Sequence, residues 1–154
     1  MGGIEAATIV SQLQGKRPWN IQLGEGSFIT MEFGAPEANP SGRRVHGEWH
    51  LWLYMCNWRI ETADKVLAGS NDDHEKVQSV LKTEVFDETK TFQVLEPSKD
   101  LFIDFTSGLK LHTFSSSSDH DEEQWKLFTP EGKVLLIYGD GTHQYVNSSE
   151  PTPR

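Results

Sequence analysis

The stretch Gly47-Glu-Trp-His-Leu-Trp-Leu-Tyr-Met-Cys-Asn-Trp-Arg-Ile60 carries three of the chain's five tryptophans and is its most hydrophobic segment. Two periodicities compete in it. Trp49, Trp52, Leu53, Cys56 and Ile60 fall at helical spacing, but apolar residues also occupy both alternating faces, as in a strand covered on both sides. The aromatic residues Trp49, Trp52, Tyr54 and Trp58 favour the pleated surface of a sheet over a helix. Residues 46–60 exceed twice the usual strand length of about 5–6 residues, which predicts a bulge, a strong bend or two consecutive strands. On this reading the odd positions from Trp49 to Met55 build the core. His50, Trp52, Tyr54 and Trp58 share the other face, where apolar bodies with polar tips suit either core or a binding surface.

Upstream, Ser27 to Phe33 alternates Phe28, Thr30 and Glu32 with Ile29, Met31 and Phe33, the period of a half-buried strand. Trp19, Ile21 and Leu23 alternate among glycines and predict a short edge strand. Thr8 to Leu13 reads as a first strand, with a helical turn or two over Glu5 to Leu13 as its competitor. Gly34 to Arg44 contains two prolines and adjacent arginines and reads as a long surface loop.

Downstream, Val77, Val80 and Leu81 make one apolar stripe after Ser70, predicting a helix over about 70–82 with Ser70 as its N-cap and Asp73 completing a capping box. Five apolar runs follow: Thr91 to Leu95, Leu101 to Phe105, Leu109 to Phe114, Trp125 to Phe128 and Val134 to Tyr138. Turn residues between most of them predict an antiparallel meander. Its best-defined hairpin puts Leu101, Ile103 and Phe105, then Leu109, Leu111 and Thr113, on single faces. The expected fold is therefore α+β: a mainly antiparallel β-sheet of seven or eight strands with one covering helix. A single globular domain is expected over 1–146, with a flexible tail over 147–154.

The 154-residue chain has a formal net charge of −9. Residues 1–60 hold five basic and five acidic side chains, and residues 61–154 hold nine and eighteen, so all the excess lies in the second part. Such a field disfavours nucleic acid and anionic membranes and would attract a basic protein partner. Residues 1–10 lack the basic start of a signal peptide, and no window approaches the roughly 20 apolar residues of a transmembrane helix, so a cytoplasmic protein is expected. The one cysteine, Cys56, lies in the apolar segment and reads as a small core residue.

Candidate chemistry is sparse. His46, Glu48 and His50 share a strand face, but positions 46 and 50 lie about 13 Å apart along a strand, too far for one ion without a bend. Asp119, His120, Asp121, Glu122 and Glu123 lack the spacing of a calcium loop and predict an anionic loop with at most adventitious cation binding. Gly24-Glu-Gly-Ser and Gly139-Asp-Gly-Thr-His are turns, not phosphate loops. No metal, cofactor or nucleophilic catalytic centre is expected.

The runs Gly26-Ser-Phe-Ile-Thr-Met-Glu-Phe-Gly, Gly47 to Arg59 and Leu127-Phe-Thr-Pro-Glu-Gly-Lys resemble those of small single-domain bacterial proteins of uncharacterised families. In size and acidity the chain is also similar to bacterial immunity proteins. That resemblance implies a non-enzymatic, acidic protein-binding domain that neutralises a basic partner; it carries over no residue, and the acidic side chains of the loop, Asp119 to Glu123, around an aromatic anchor are the surface expected to do so. The alternative is a small-molecule-binding domain or enzyme with a pocket on the His50, Trp52, Tyr54 and Trp58 face. A structural subunit that forms homo-oligomers by strand pairing is the third reading.

Overall fold

The computed structural model describes residues 5–38 and 45–148. A short helix α1 (Ala6–Val10), continued by a 3-10 turn (Ser11–Leu13), precedes strands β1 (Trp19–Leu23), β2 (Ile29–Ala38), β3 (Val45–Leu53), β4 (Asn57–Glu61) and β5 (Val66–Gly69). Helix α2 (His74–Thr83) leads into β6 (Thr89–Leu95), β7 (Asp100–Phe105), β8 (Lys110–Phe114), β9 (Glu123–Phe128), β10 (Lys133–Tyr138) and β11 (His143–Asn147). The strands form two antiparallel sheets, ordered β1-β2-β3-β9-β10-β11 and β5-β4-β8-β7-β6. Among the described residues no helix is long and apolar enough to cross a membrane.

Among the described residues, eleven strands and two α-helices replace the seven or eight strands and one helix expected from sequence. Two short strands that match none of the runs read in the sequence, β5 and β11, lie at sheet edges. Of their residues only Ala68 is fully buried, so neither carries a marked apolar alternation. The segment predicted as a first strand is helical because Ala6, Ile9, Val10 and Leu13 form the buried set, at 1%, 2%, 0% and 0% exposure. Their i, i+3, i+4, i+7 spacing is that of a helix stripe. Strand β2 continues through Pro36 to Ala38, into the predicted loop, after a register shift between Phe33 and Pro36. β1 pairs with β2 only as far as Glu32, so Pro36 interrupts no ladder on that side. Residues 39–44 of the expected loop and 149–154 of the expected tail lie outside the described residues. Asn147 still belongs to β11.

Residues 46–60 do form two consecutive strands, one in each sheet. Between them the backbone amides of Tyr54, Met55 and Cys56 all donate to the Gln124 carbonyl, at 3.0, 3.0 and 3.3 Å. This crossing shifts the inward parity. Trp49, Leu51 and Leu53 face the core before it, and Cys56, Trp58 and Ile60 after it. Two expectations are thereby corrected: Met55 is 53% exposed, and Trp58 is buried between the sheets with its indole N–H donating to Ser27 O at 2.7 Å.

The core fills the space between the sheets, with Ile29, Met31, Phe33, Trp125, Leu127, Leu135 and Ile137 from one side. Phe92, Leu101, Ile103, Phe105 and Leu111 supply the other. Helix α2 does not cover a sheet face. It packs against β5 and β1, one edge of each sheet, as suits a helix that fully buries only Val77 and partly buries Val80 and Leu81. Its N-cap is Asp73, not Ser70. Ser70 instead pairs with β4: its hydroxyl accepts from Trp58 N at 3.1 Å, and its own N–H donates to Trp58 O at 2.9 Å.

Cys56 is 3% exposed, and burial pushes its thiol up to about 12 from an ordinary 9.0. Near neutral pH its thiolate fraction is therefore about a thousandfold below that of a free cysteine. Folded protein should leave a disulfide reagent such as dithionitrobenzoate unreacted over minutes, with one thiol released on unfolding. Rapid native-state labelling would contradict this burial.

Candidate functional site on the larger sheet

Because the odd positions of β3 face the core, its even positions face outward from the six-stranded sheet. There His46, Glu48, His50 and Trp52 line a groove of about 950 Å³. β2 contributes Thr30, Glu32 and Glu37, with Phe28 just before it; β9 contributes Phe128. One wall is formed by Asn20 and the Gln22–Gly24 segment, the other by Thr129, Pro130, Gly132 and Ser148. Sheet register sets these neighbours: Thr30 opposes Trp52, Glu32 opposes His50, and Phe128 opposes His50 from the other side.

The floor is aromatic. Trp52 meets Phe28 edge-on with centroids 5.1 Å apart, and lies 5.5 Å from His50 and 5.3 Å from Phe128. The rings of His46 and His50 approach to 6.2 Å, well inside the strand spacing of their backbones. Even so, His46, Glu48 and His50 do not present ligand atoms close enough together to hold a metal ion. Trp52 Nε1 is covered and meets no protein acceptor among the described residues.

Glu32 is the deepest charged group of the groove, at 3% exposure. A buried carboxylate is costly without partners, and Glu32 has two. Its Oε1 accepts from Gly47 N at 2.8 Å, and His50 Nδ1 lies 2.5 Å from Oε2. The second approach is off the hydrogen-bonding direction, so it acts as an ion pair when the imidazole is protonated. Glu48 Oε1 accepts from Ala35 N at 3.0 Å, which ties the far end of the groove to β2.

Gly47 permits this arrangement. A Cβ there would fall on Phe33 O and 2.9 Å from Phe33 N, both backbone atoms of the paired strand. Gly47→Ala must therefore part β2 from β3 and pull the Gly47 amide from Glu32. We expect a loss of about 2–3 kcal/mol in urea unfolding. Unchanged stability would mean that the two strands are not so closely apposed.

Beside the groove, Lys126 is 7% exposed, and its ammonium lies 2.9 Å from Glu123 Oε1. It also stands 5.0 Å from the Trp52 ring centroid and 5.2 Å from that of Tyr54. Glu123, expected in an exposed anionic loop, is instead the first residue of β9 and is 6% exposed. Within the expected cluster Asp119, His120 and Asp121 are exposed, and Glu122 is half-buried. His120 lies between the two aspartates, at 3.9 and 3.3 Å. Their ligand atoms fall within 4.8 Å of one another, on exposed side chains.

Of the aromatic residues singled out in sequence, His50 and Trp52 line the groove. Tyr54 sits beside it, 5.5 Å from Phe28, and Trp58 belongs to the opposite sheet and the core. Phe28, Thr30 and Glu32 share a strand face in the sequence, but only the β2–β3 register sets them beside His50 and Trp52. Phe128 carried no signal, because its place depends on the pairing of β3 with the distant β9. No protein-family model, curated protein or solved structure matches the chain.

Proposed function

We propose that this chain is a small-molecule-binding domain whose ligand lies in the groove on the outer face of the larger sheet. One observation carries the reading. His50, Trp52, Glu32, Phe28 and Phe128, from three paired strands and an adjoining turn, converge on a concavity of about 950 Å³. That volume is at the upper end for small-molecule sites, which combine aromatic walls with a few convergent polar groups.

A fragment set balanced between cations, anions and neutral molecules, followed by ligand-observed NMR, tests it. Fragments should bind the native protein and lose affinity in Trp52→Leu, but not in Val66→Gln, a change on the exposed edge of the other sheet. Absence of binding by every class, or binding insensitive to Trp52, overturns the reading.

A second reading, neutralisation of a basic protein partner as in immunity proteins, is favoured by the exposure of Asp119, His120 and Asp121, whose side chains are 57%, 76% and 78% accessible. It predicts salt-sensitive capture of a stoichiometric basic protein at low ionic strength, abolished by Asp119→Lys with Asp121→Lys. Capture unaffected by that charge reversal would exclude the loop.

A further inference from the structure

The groove's charges bear on what it binds. Among its described lining residues are three carboxylates, Glu32, Glu37 and Glu48, and no lysine or arginine. Carboxylates in a concave, partly desolvated wall focus a negative potential that attracts cations and repels anions. The ammonium of Lys126, beside Trp52, is not among the lining residues and is held by Glu123 at 2.9 Å. Its field is thus largely cancelled before it reaches the groove.

The aromatic floor adds a second preference. Phe28, Trp52 and Phe128 present apolar ring surface beside those carboxylates. The protein itself sets an ammonium 5.0 Å from the Trp52 ring and 5.2 Å from Tyr54, so this cluster already accommodates a cation against its π faces. Glu32 is satisfied internally by Gly47 and His50. Glu37 and Glu48 stand on the two paired strands at the opposite end of the groove from Trp52.

Resting on the groove reading above, we infer that the site selects small organic cations that carry an aromatic or apolar body. The apolar body would lie over Phe128, which opposes His50, with the charged head toward Glu48 two residues along the strand and in the field of Glu37 beyond it; a longer apolar body would extend over Trp52 and Phe28. Residues 39–44, with Arg43 and Arg44, lie outside the described residues. The test therefore reads the sign of the selectivity directly.

Three probes with the same phenethyl body suffice: phenethylamine, 3-phenylpropionamide and 3-phenylpropionate, titrated near neutral pH into the full chain. The amine should bind at least about tenfold more tightly than the carboxylate, and its affinity should fall on raising salt from about 0.05 to 0.5 M. Glu48→Gln keeps the oxygen that accepts from Ala35 N. Combined with Glu37→Gln, it should weaken the amine about fivefold or more while leaving the amide unchanged. Equal or tighter binding of the amide or carboxylate overturns the inference. So does failure of all three probes while other fragments still bind in a Trp52-dependent way. In both cases the groove reading survives. Loss of Trp52-dependent binding by every fragment class overturns both.

Discussion

Leu51→Ala should lower the unfolding free energy by about 4 kcal/mol, a large fraction of the roughly 5–15 kcal/mol available to a domain of this kind. Leu51 is 0% exposed on a strand with partners on both sides, where it pairs with Met31 of β2 and Leu127 of β9. Those neighbours are themselves fixed by the sheet ladder, so the space left by the missing methyl and methylene groups cannot close by a simple shift. The cost then includes both lost transfer energy and the cavity. Urea unfolding followed by tryptophan fluorescence measures it. A loss below about 1 kcal/mol would place Leu51 outside a packed interior.

Lys126→Met should cost about 3–5 kcal/mol, by a different mechanism. The lysine side chain is 9% and its Glu123 partner 6% accessible. Removing the ammonium leaves a carboxylate with little water and no compensating charge. The double variant Lys126→Met with Glu123→Leu should recover most of that loss, because the buried pair itself contributes little beyond an apolar replacement. If the single and double variants are equally destabilised, the penalty comes from the Lys126 stem packed against Trp52 and Tyr54, not from an isolated charge.

Much of the strand content was legible in the sequence. Leu101, Ile103 and Phe105 alternate cleanly, and all three face the core with Leu109, Leu111 and Thr113. Trp49, Leu51 and Leu53 behave likewise, because a period of two records burial on one face. The parity change after Leu53 was not legible. It depends on three amides sharing the Gln124 carbonyl, an acceptor supplied far downstream. That one crossing moved Trp58 into the core and Met55 to the surface.

The site was legible only in part, for the same reason. Local sequence could place His50 and Trp52 on a shared face, but their contacts with Phe128 and Lys126 arise from the β3–β9 pairing. Glu123 looked like the end of an acidic loop because Asp119 to Glu122 precede it. The ion pair with Lys126, three residues along the same strand, gives it a buried role instead. The short edge strands β5 and β11 escaped notice because edge positions leave side chains in water and impose little pattern.

The indole N–H resonances give the most direct measure of whether the outer face of β3 is a ligand site. Those of Trp19, Trp58 and Trp125 donate to the backbone carbonyls of Gly34, Ser27 and Lys99, at 2.9, 2.7 and 3.0 Å, whereas that of Trp52, beside the groove, meets no protein acceptor among the described residues. Titration of ¹⁵N-labelled protein with fragments that bind should shift the Trp52 indole signal and the ring signals of His50 in a saturable manner, with Trp58 and Trp125 unmoved. Saturable binding that shifts Trp58 or Trp125 and leaves Trp52 and His50 in place would contradict a site on this face.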